Sequence, residues 1–212
     1  MEEDNKEKEL KTKMSLIIPT VFEEERTGVR SYYDIFSRLL KDRIVFVQGE
    51  VTSSMASVII AELLFLEKES EKQPIQMFIM SPGGSVGAGL AIYDTMQYIK
   101  CPVVTIGLGE VASIAAVLLS AGAKGMRYAL PNTDIMIHQP WISSIQKVNV
   151  TQLKITTEFL ERTKDKLIRI LAKHTGKSLK QVEKDVELDN WLTAKQAKEY
   201  GLIDKIIKFN NI

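Results

Sequence analysis

The feature that most constrains this chain is the alternation of short β-rich apolar runs with stretches of helical periodicity. Arg43–Val47 (RIVFV), Pro74–Met80 (PIQMFIM) and Val103–Leu108 each read as a strand. Ser53–Lys68 separates the first two, with Ala56, Ile59, Ile60, Leu63 and Leu64 at helical spacing, and Val86–Ile99 separates the next two. Gly109-Glu110 is expected to end the third strand. A small-residue helix, Ala112–Ala121, then leads to two short strands, Arg127–Leu130 and Ile135–His138. Strands joined through helices pair in parallel, because parallel pairing needs a long crossover. The expected fold is one α/β domain on a mostly parallel sheet.

Towards the ends, Ser31–Lys41 has helical spacing, with Tyr32, Ile35, Phe36 and Leu39 on one side. Asn149–His174 reads as a long amphipathic helix closed by Gly176. Ser178–Gln181 and Thr193–Gln196 read as capping boxes opening short helices, and Leu202–Ile207 as a last strand. Residues 1–13 carry nine charged side chains and one leucine, too little apolar surface to offset ordering entropy. Residues 1–14 are therefore expected to form a mobile tail or removable leader, and 15–212 a single domain.

Charge and composition remove several function classes. Among 212 residues, 28 Lys and Arg balance 27 Asp and Glu, so there is no basic footprint for nucleic acid. The single cysteine, Cys101, excludes an internal disulfide and suggests a reducing compartment. With only two histidines beside it, a Cys/His zinc site cannot be built, and no metal is expected. The first residues lack the apolar stretch of a secretory signal. Cys101–Ala123 has the length of a membrane span, but Pro102, Gly107, Gly109, Glu110 and Gly122 break it into strand and helix.

Two features lie at the carboxyl ends of expected strands, the edge where open α/β sheets bind ligands. In Ser81-Pro82-Gly83-Gly84-Ser85 the glycines permit a sharp turn with unshielded N–H groups, which can face an anion or a developing oxyanion. The blander reading is a plain tight turn. In Val111-Ala112-Ser113-Ile114-Ala115 the serine falls at the first turn of a helix directly after a strand, as in a nucleophile elbow. The blander reading there is a helix cap. A serine nucleophile needs a base. His138, at a strand end, is the candidate, whereas His174, at a helix end before Thr175-Gly176, reads as structural. For a carboxylate to orient the histidine, Asp134, Asp185, Asp189 and Asp204 are all available, and periodicity does not choose among them.

Several strings in one order carry a resemblance that runs from Leu16 to Ile207. They include Ile18-Pro19-Thr20-Val21, Tyr33-Asp34-Ile35-Phe36-Ser37-Arg38-Leu39-Leu40, Ser81-Pro82-Gly83-Gly84-Ser85, Ile92-Tyr93-Asp94-Thr95-Met96, Met136-Ile137-His138-Gln139-Pro140 and Glu199-Tyr200-Gly201-Leu202-Ile203-Asp204. On these the chain resembles the proteolytic subunit of the Clp protease, the ClpP family of serine peptidases. The resemblance implies Ser113 as nucleophile, His138 as general base and Asp189 as the aspartate that orients it. It implies backbone N–H groups of Gly84 and Ile114 as the oxyanion hole. It also implies the ClpP/crotonase-type fold of repeated ββα units with a long handle helix, near 149–175.

The implied partners are copies of the chain in heptameric rings stacked in pairs, a hexameric Clp-class ATPase that uses the ATP, and unfolded protein substrates. The chain itself would need no cofactor. A bacterial cytoplasm is the expected location, with an organelle as the other choice.

The chain also departs from the family pattern. Ile114-Ala115 stands where relatives have Met-Gly. Trp141–Val148 lacks the usual glycines, Leu188 replaces an arginine of the ring–ring interface, and Gln76 and Phe78 replace tyrosines of the ATPase-docking pocket. These departures motivate an alternative: a ring-building subunit of low activity alone, working in mixed rings with a paralogue. A related enzyme acting on acyl thioesters fits less well, since that branch works without a Ser-His-Asp set.

Overall fold

The structure, a computed structural model, describes residues 18–24, 28–142 and 147–208. The expected tail, 1–14, and residues 143–146 of the Trp141–Val148 segment lie outside the described residues. Two compact units are present, Met1–Asp42 and Arg43–Ile212.

In the first unit, β1 (Thr20–Glu24) pairs antiparallel with β2 (Arg30–Asp34), and α1 (Ile35–Lys41) follows directly. The helix expected from Ser31 thus begins four residues later. Asp34 explains the delay: its carboxylate accepts the N–H groups of Phe36 and Ser37, each at 3.0 Å, and a helix starts only after its cap. Upstream of it, exposure alternates residue by residue, as on a strand.

The second unit is a mixed α/β structure. Its strands are β3 (Ile44–Gln48), β4 (Ile75–Ser81), β5 (Val103–Ala112), β6 (Arg127–Ala129), β7 (Asp134–Ile137), β8 (Asn190–Thr193) and β9 (Lys205–Ile206). The sheet runs β3-β4-β5-β6-β9, with β7 paired to the far end of β5 and to β8. Every pairing is parallel except β7–β8. The helices are α2 (Ser53–Glu69), α3 (Val86–Tyr98), α4 (Ile114–Ser120), α5 (Val150–Thr175), α6 (Leu179–Asp185) and α7 (Ala194–Tyr200).

Val45, Val47, Ile75, Met77 and Ile79 on β3 and β4 are fully buried, and all seven residues of α4 are buried. Each such aliphatic side chain contributes about 1.5–3 kcal/mol. The segment that carries Ser113 is therefore anchored by a fully buried helix. The Cys101–Ala123 stretch is spent on β5 and α4, and no helix among the described residues is long and apolar enough to cross a membrane.

In the second unit three elements differ from the sequence reading. β5 continues through Gly109 to Ala112, because a bulge absorbs the glycine. Ile79 is opposite Gly107 but Ser81 is opposite Val111, and Gly109 takes φ +57°. Beyond the bulge β5 exchanges its partner β6 for β7. β8, unmarked in the sequence, forms against β7. Finally, Ser178 accepts from Gln181 N–H, but the Gln181 side chain donates to Asp185 instead of closing the box; Thr193 and Gln196 make both bonds.

Candidate active site

Strand register brings the chemistry together. β5 and β7 run parallel with Ala112 beside Met136, and the Ser113 N–H donates to the Met136 carbonyl at 2.9 Å. Ser113 and His138 therefore leave the sheet at the same edge. β7 and β8 run antiparallel with Ile137 opposite Asn190, which sets His138 opposite Asp189 across 51 positions of sequence.

The side chains complete what the register prepares. Ser113 Oγ lies 2.8 Å from His138 Nε2, and Asp189 Oδ1 lies 3.0 Å from His138 Nδ1. A carboxylate only accepts, so Nδ1–H donates to Asp189 and Nε2 accepts from the Ser113 hydroxyl. The other carboxylates are engaged elsewhere. Asp185 accepts from Tyr200 and Gln181, Asp204 is bound to Arg127, and Asp134 begins β7 at an exposed position.

Ser113 does not cap α4 with its side chain. Its backbone has φ +59° and ψ −128°, a conformation that L-residues avoid and that costs on the order of 1–3 kcal/mol. The buried β5 on one side and the buried α4 on the other hold it there, turning the hydroxyl out of the helix and towards the histidine.

Gly83 and Gly84 build the facing wall. They have φ +95° and +147°. A Cβ on Gly83 would come within 2.6 Å of Ser113 Cβ, and one on Gly84 within 2.5 Å of the Val51 carbonyl oxygen. Only glycine allows that approach. The Gly83 N–H donates to Ser81 Oγ at 3.1 Å. Val51 hydrogen-bonds on either side of Gly84, to Gly83 O and from Ser85 N–H, so the bridge leaves the Gly84 N–H unused. Ile114 is the first residue of α4, where N–H groups have no intrahelical acceptor. Ile114 directly follows the serine and Gly84 belongs to the wall that faces it, so their N–H groups are candidates to receive a negative oxygen.

These groups, Ile114 apart, border an open cleft of about 1070 Å³. Within it His138 is nearly buried, with 12% of its side chain exposed, and Asp189 is 63% exposed. Water screens Asp189, so its hold on the imidazole is chiefly orientational. Chemically, the set can activate a hydroxyl for attack on a carbonyl and stabilise the oxyanion that forms.

A family model described as Clp protease matches residues 26–210. The chain belongs to the Clp protease family. The mixed α/β architecture, with a mostly parallel sheet and seven helices among the described residues, agrees with the ClpP fold expected from the sequence. Membership makes the chain a Clp-type peptidase.

Sequence reasoning missed one contributor. Gln139, beside His138, ties down the segment that carries Asp189: its N–H donates to Val186 O at 2.7 Å and its side-chain amide to Glu187 O at 2.8 Å. A polar residue next to the histidine was the available signal. His174 sits far from this chemistry, 3.1 Å from the Tyr93 hydroxyl, with burial and the nearby Lys173 and Arg127 lowering its pKa to about 4. Among the described residues no group of His, Cys, Asp and Glu is placed to hold a metal.

Proposed function

We propose that this Clp protease family member is a serine endopeptidase subunit that cleaves unfolded polypeptides by Ser-His-Asp catalysis. The observation that carries the reading is the continuous hydrogen-bonded line Ser113–His138–Asp189, with a serine strained out of its capping role. Ser113 Oγ attacks a peptide carbonyl carbon while His138 Nε2 takes the hydroxyl proton. Asp189 keeps the ring in that tautomer. The carbonyl oxygen, now negative, is received by the Gly84 and Ile114 N–H groups. The C–N bond then breaks as the imidazolium gives its proton to the leaving amine. Water, deprotonated by the same imidazole, attacks the acyl-serine and frees the carboxyl product.

The chain would act in heptameric rings stacked in pairs, in a bacterial cytoplasm or an organelle. It would use no cofactor of its own, and a Clp-class ATPase would spend the ATP. A partly exposed apolar strip on β3 and β4, formed by Phe46, Phe78 and Met80 beside Gln76, supports a docking face for that partner. The alternative, a ring-building subunit of low activity in mixed rings, draws its support from Leu188, 81% exposed immediately before Asp189. The aligned side chains favour the active reading.

Ser113→Ala tests the proposal. It is expected to lower cleavage of unstructured fluorogenic peptides by at least about 10³-fold with unchanged circular dichroism and assembly size. Unchanged cleavage in the variant removes Ser113 from the mechanism.

A further inference from the structure

The cleft that holds Ser113 and His138 also carries Glu50, from the turn between β3 and α2, and Glu187, two residues before Asp189. The backbone next to Glu50 is held by the pairing of Val51. Val51 N–H donates to Gly83 O at 2.7 Å, and Val51 O accepts from Ser85 N–H at 2.8 Å. This bracket sets the Glu50 side chain against Gly84: a Cβ placed on Gly84 would lie 3.0 Å from Glu50 Cγ. Neither Glu50 nor Glu187 has an ion-pair partner among the described residues, and none of the described residues lining the cleft is lysine or arginine.

This placement has a kinetic consequence. Gly84 contributes an N–H that would receive the oxyanion, and the exposed Glu50 side chain, whose Cγ lies against Gly84, adds a negative charge on that side of the cleft. A cation on the substrate, held against Glu50, offsets that charge and adds attraction that a neutral substrate lacks. Lysine and arginine side chains are long enough to reach back from a position beside the cleaved bond. An acidic side chain there meets Glu50 and Glu187 with no lysine or arginine among the described lining residues to compensate, which is a repulsive element of specificity.

We propose that this cleft selects polypeptide segments carrying lysine or arginine within two residues of the scissile bond, with Glu50 as the specificity-determining residue. The inference rests on the serine-peptidase reading above. It concerns which segments are cut once they reach the site.

The test uses the full-length protein and internally quenched peptides that differ only in Lys, Gln or Glu. The variable residue is placed in turn one or two positions to either side of the cleaved bond. At one position at least, kcat/KM should be fivefold or more higher for Lys than for Gln, and lowest for Glu. Glu50→Gln should bring the Lys-to-Gln ratio below twofold, and Glu50→Lys should invert the order so that the Glu peptide is cut best. A flat charge profile in the native chain, or a Lys preference that survives Glu50→Gln, overturns the inference while Ser113-dependent cleavage stands. Cleavage of no peptide, or cleavage that persists in Ser113→Ala, overturns the peptidase reading and this inference with it.

Discussion

At the scale of single residues, the two histidines show how neighbouring groups divide one side chain's chemistry into two roles. His138 sits at the cleft with a hydroxyl on one nitrogen and a carboxylate on the other. His174 has the Tyr93 hydroxyl on Nε2, and burial, Lys173 and Arg127 lower its pKa to about 4 from an ordinary 6.5. Between those values the unfolded chain binds a proton that the folded chain refuses. Stability should therefore fall as pH drops from about 6.5 towards 4, and should be unaffected by this group at higher pH. His174→Gln removes that proton, so its melting temperature should drop less than that of the native chain between pH 7 and pH 5. Equal slopes in the two melting curves would mean that His174 takes no part in the acid response. Arg127 shows the opposite logic. It is nearly buried, yet donates to both Asp204 oxygens and to the carbonyls of Ser120, His174 and Gly201, so it locks the α5 end to the last strand.

At the scale of elements, α3 and α4 meet through a glycine. A Cβ on Gly89 would lie only 2.1 Å from Ile114 Cγ1, and Ile114 is 1% exposed. Gly89→Ala must displace the first turn of α4, which carries Ser113 and the Ile114 N–H. Stability should fall by about 1–3 kcal/mol, and kcat of the still-folded enzyme should fall about tenfold or more with KM little changed. A urea titration together with steady-state kinetics on the same sample separates the two effects; an unaltered kcat would show that this contact does not position the site. β3, β4, α2, α3 and α5 were legible because their apolar periodicity extends over enough residues to be unambiguous. β8 was not, since Asn190–Thr193 is four residues long and forms only because β7 lies beside it. That omission matters, for the β7–β8 register is what sets Asp189 against His138. Residue patterns alone left four aspartates open, and the family resemblance singled out Asp189. β5 was cut short at Gly109 because a glycine after a strand signals an end as readily as a bulge, and only the partner strands distinguish the two.

At the scale of the whole molecule, α5 is the clearest statement that the chain does not work alone. Its buried residues, Leu167, Ile168, Ile170 and Leu171, all lie towards its C-terminal end. No residue of the preceding turns is fully buried, and they present Val150, Ile155 and Phe159 at 73%, 62% and 58% exposure. An unpacked helix of that length is marginal in water, so packing against other copies fits both its helicity and its apolar residues. If α5 forms the contact between stacked rings, Phe159→Glu should shift the sedimentation profile to smaller species while leaving the Arg43–Ile212 unit folded. An unchanged profile would move the interface elsewhere. Above assembly and specificity stands the claim that Ser113 is an activated nucleophile, and intact mass after exposure to a serine-reactive fluorophosphonate tests it most directly. One adduct per chain is expected on the native protein and none on Ser113→Ala. No adduct on the native protein, or an adduct of equal yield on the variant, would contradict it.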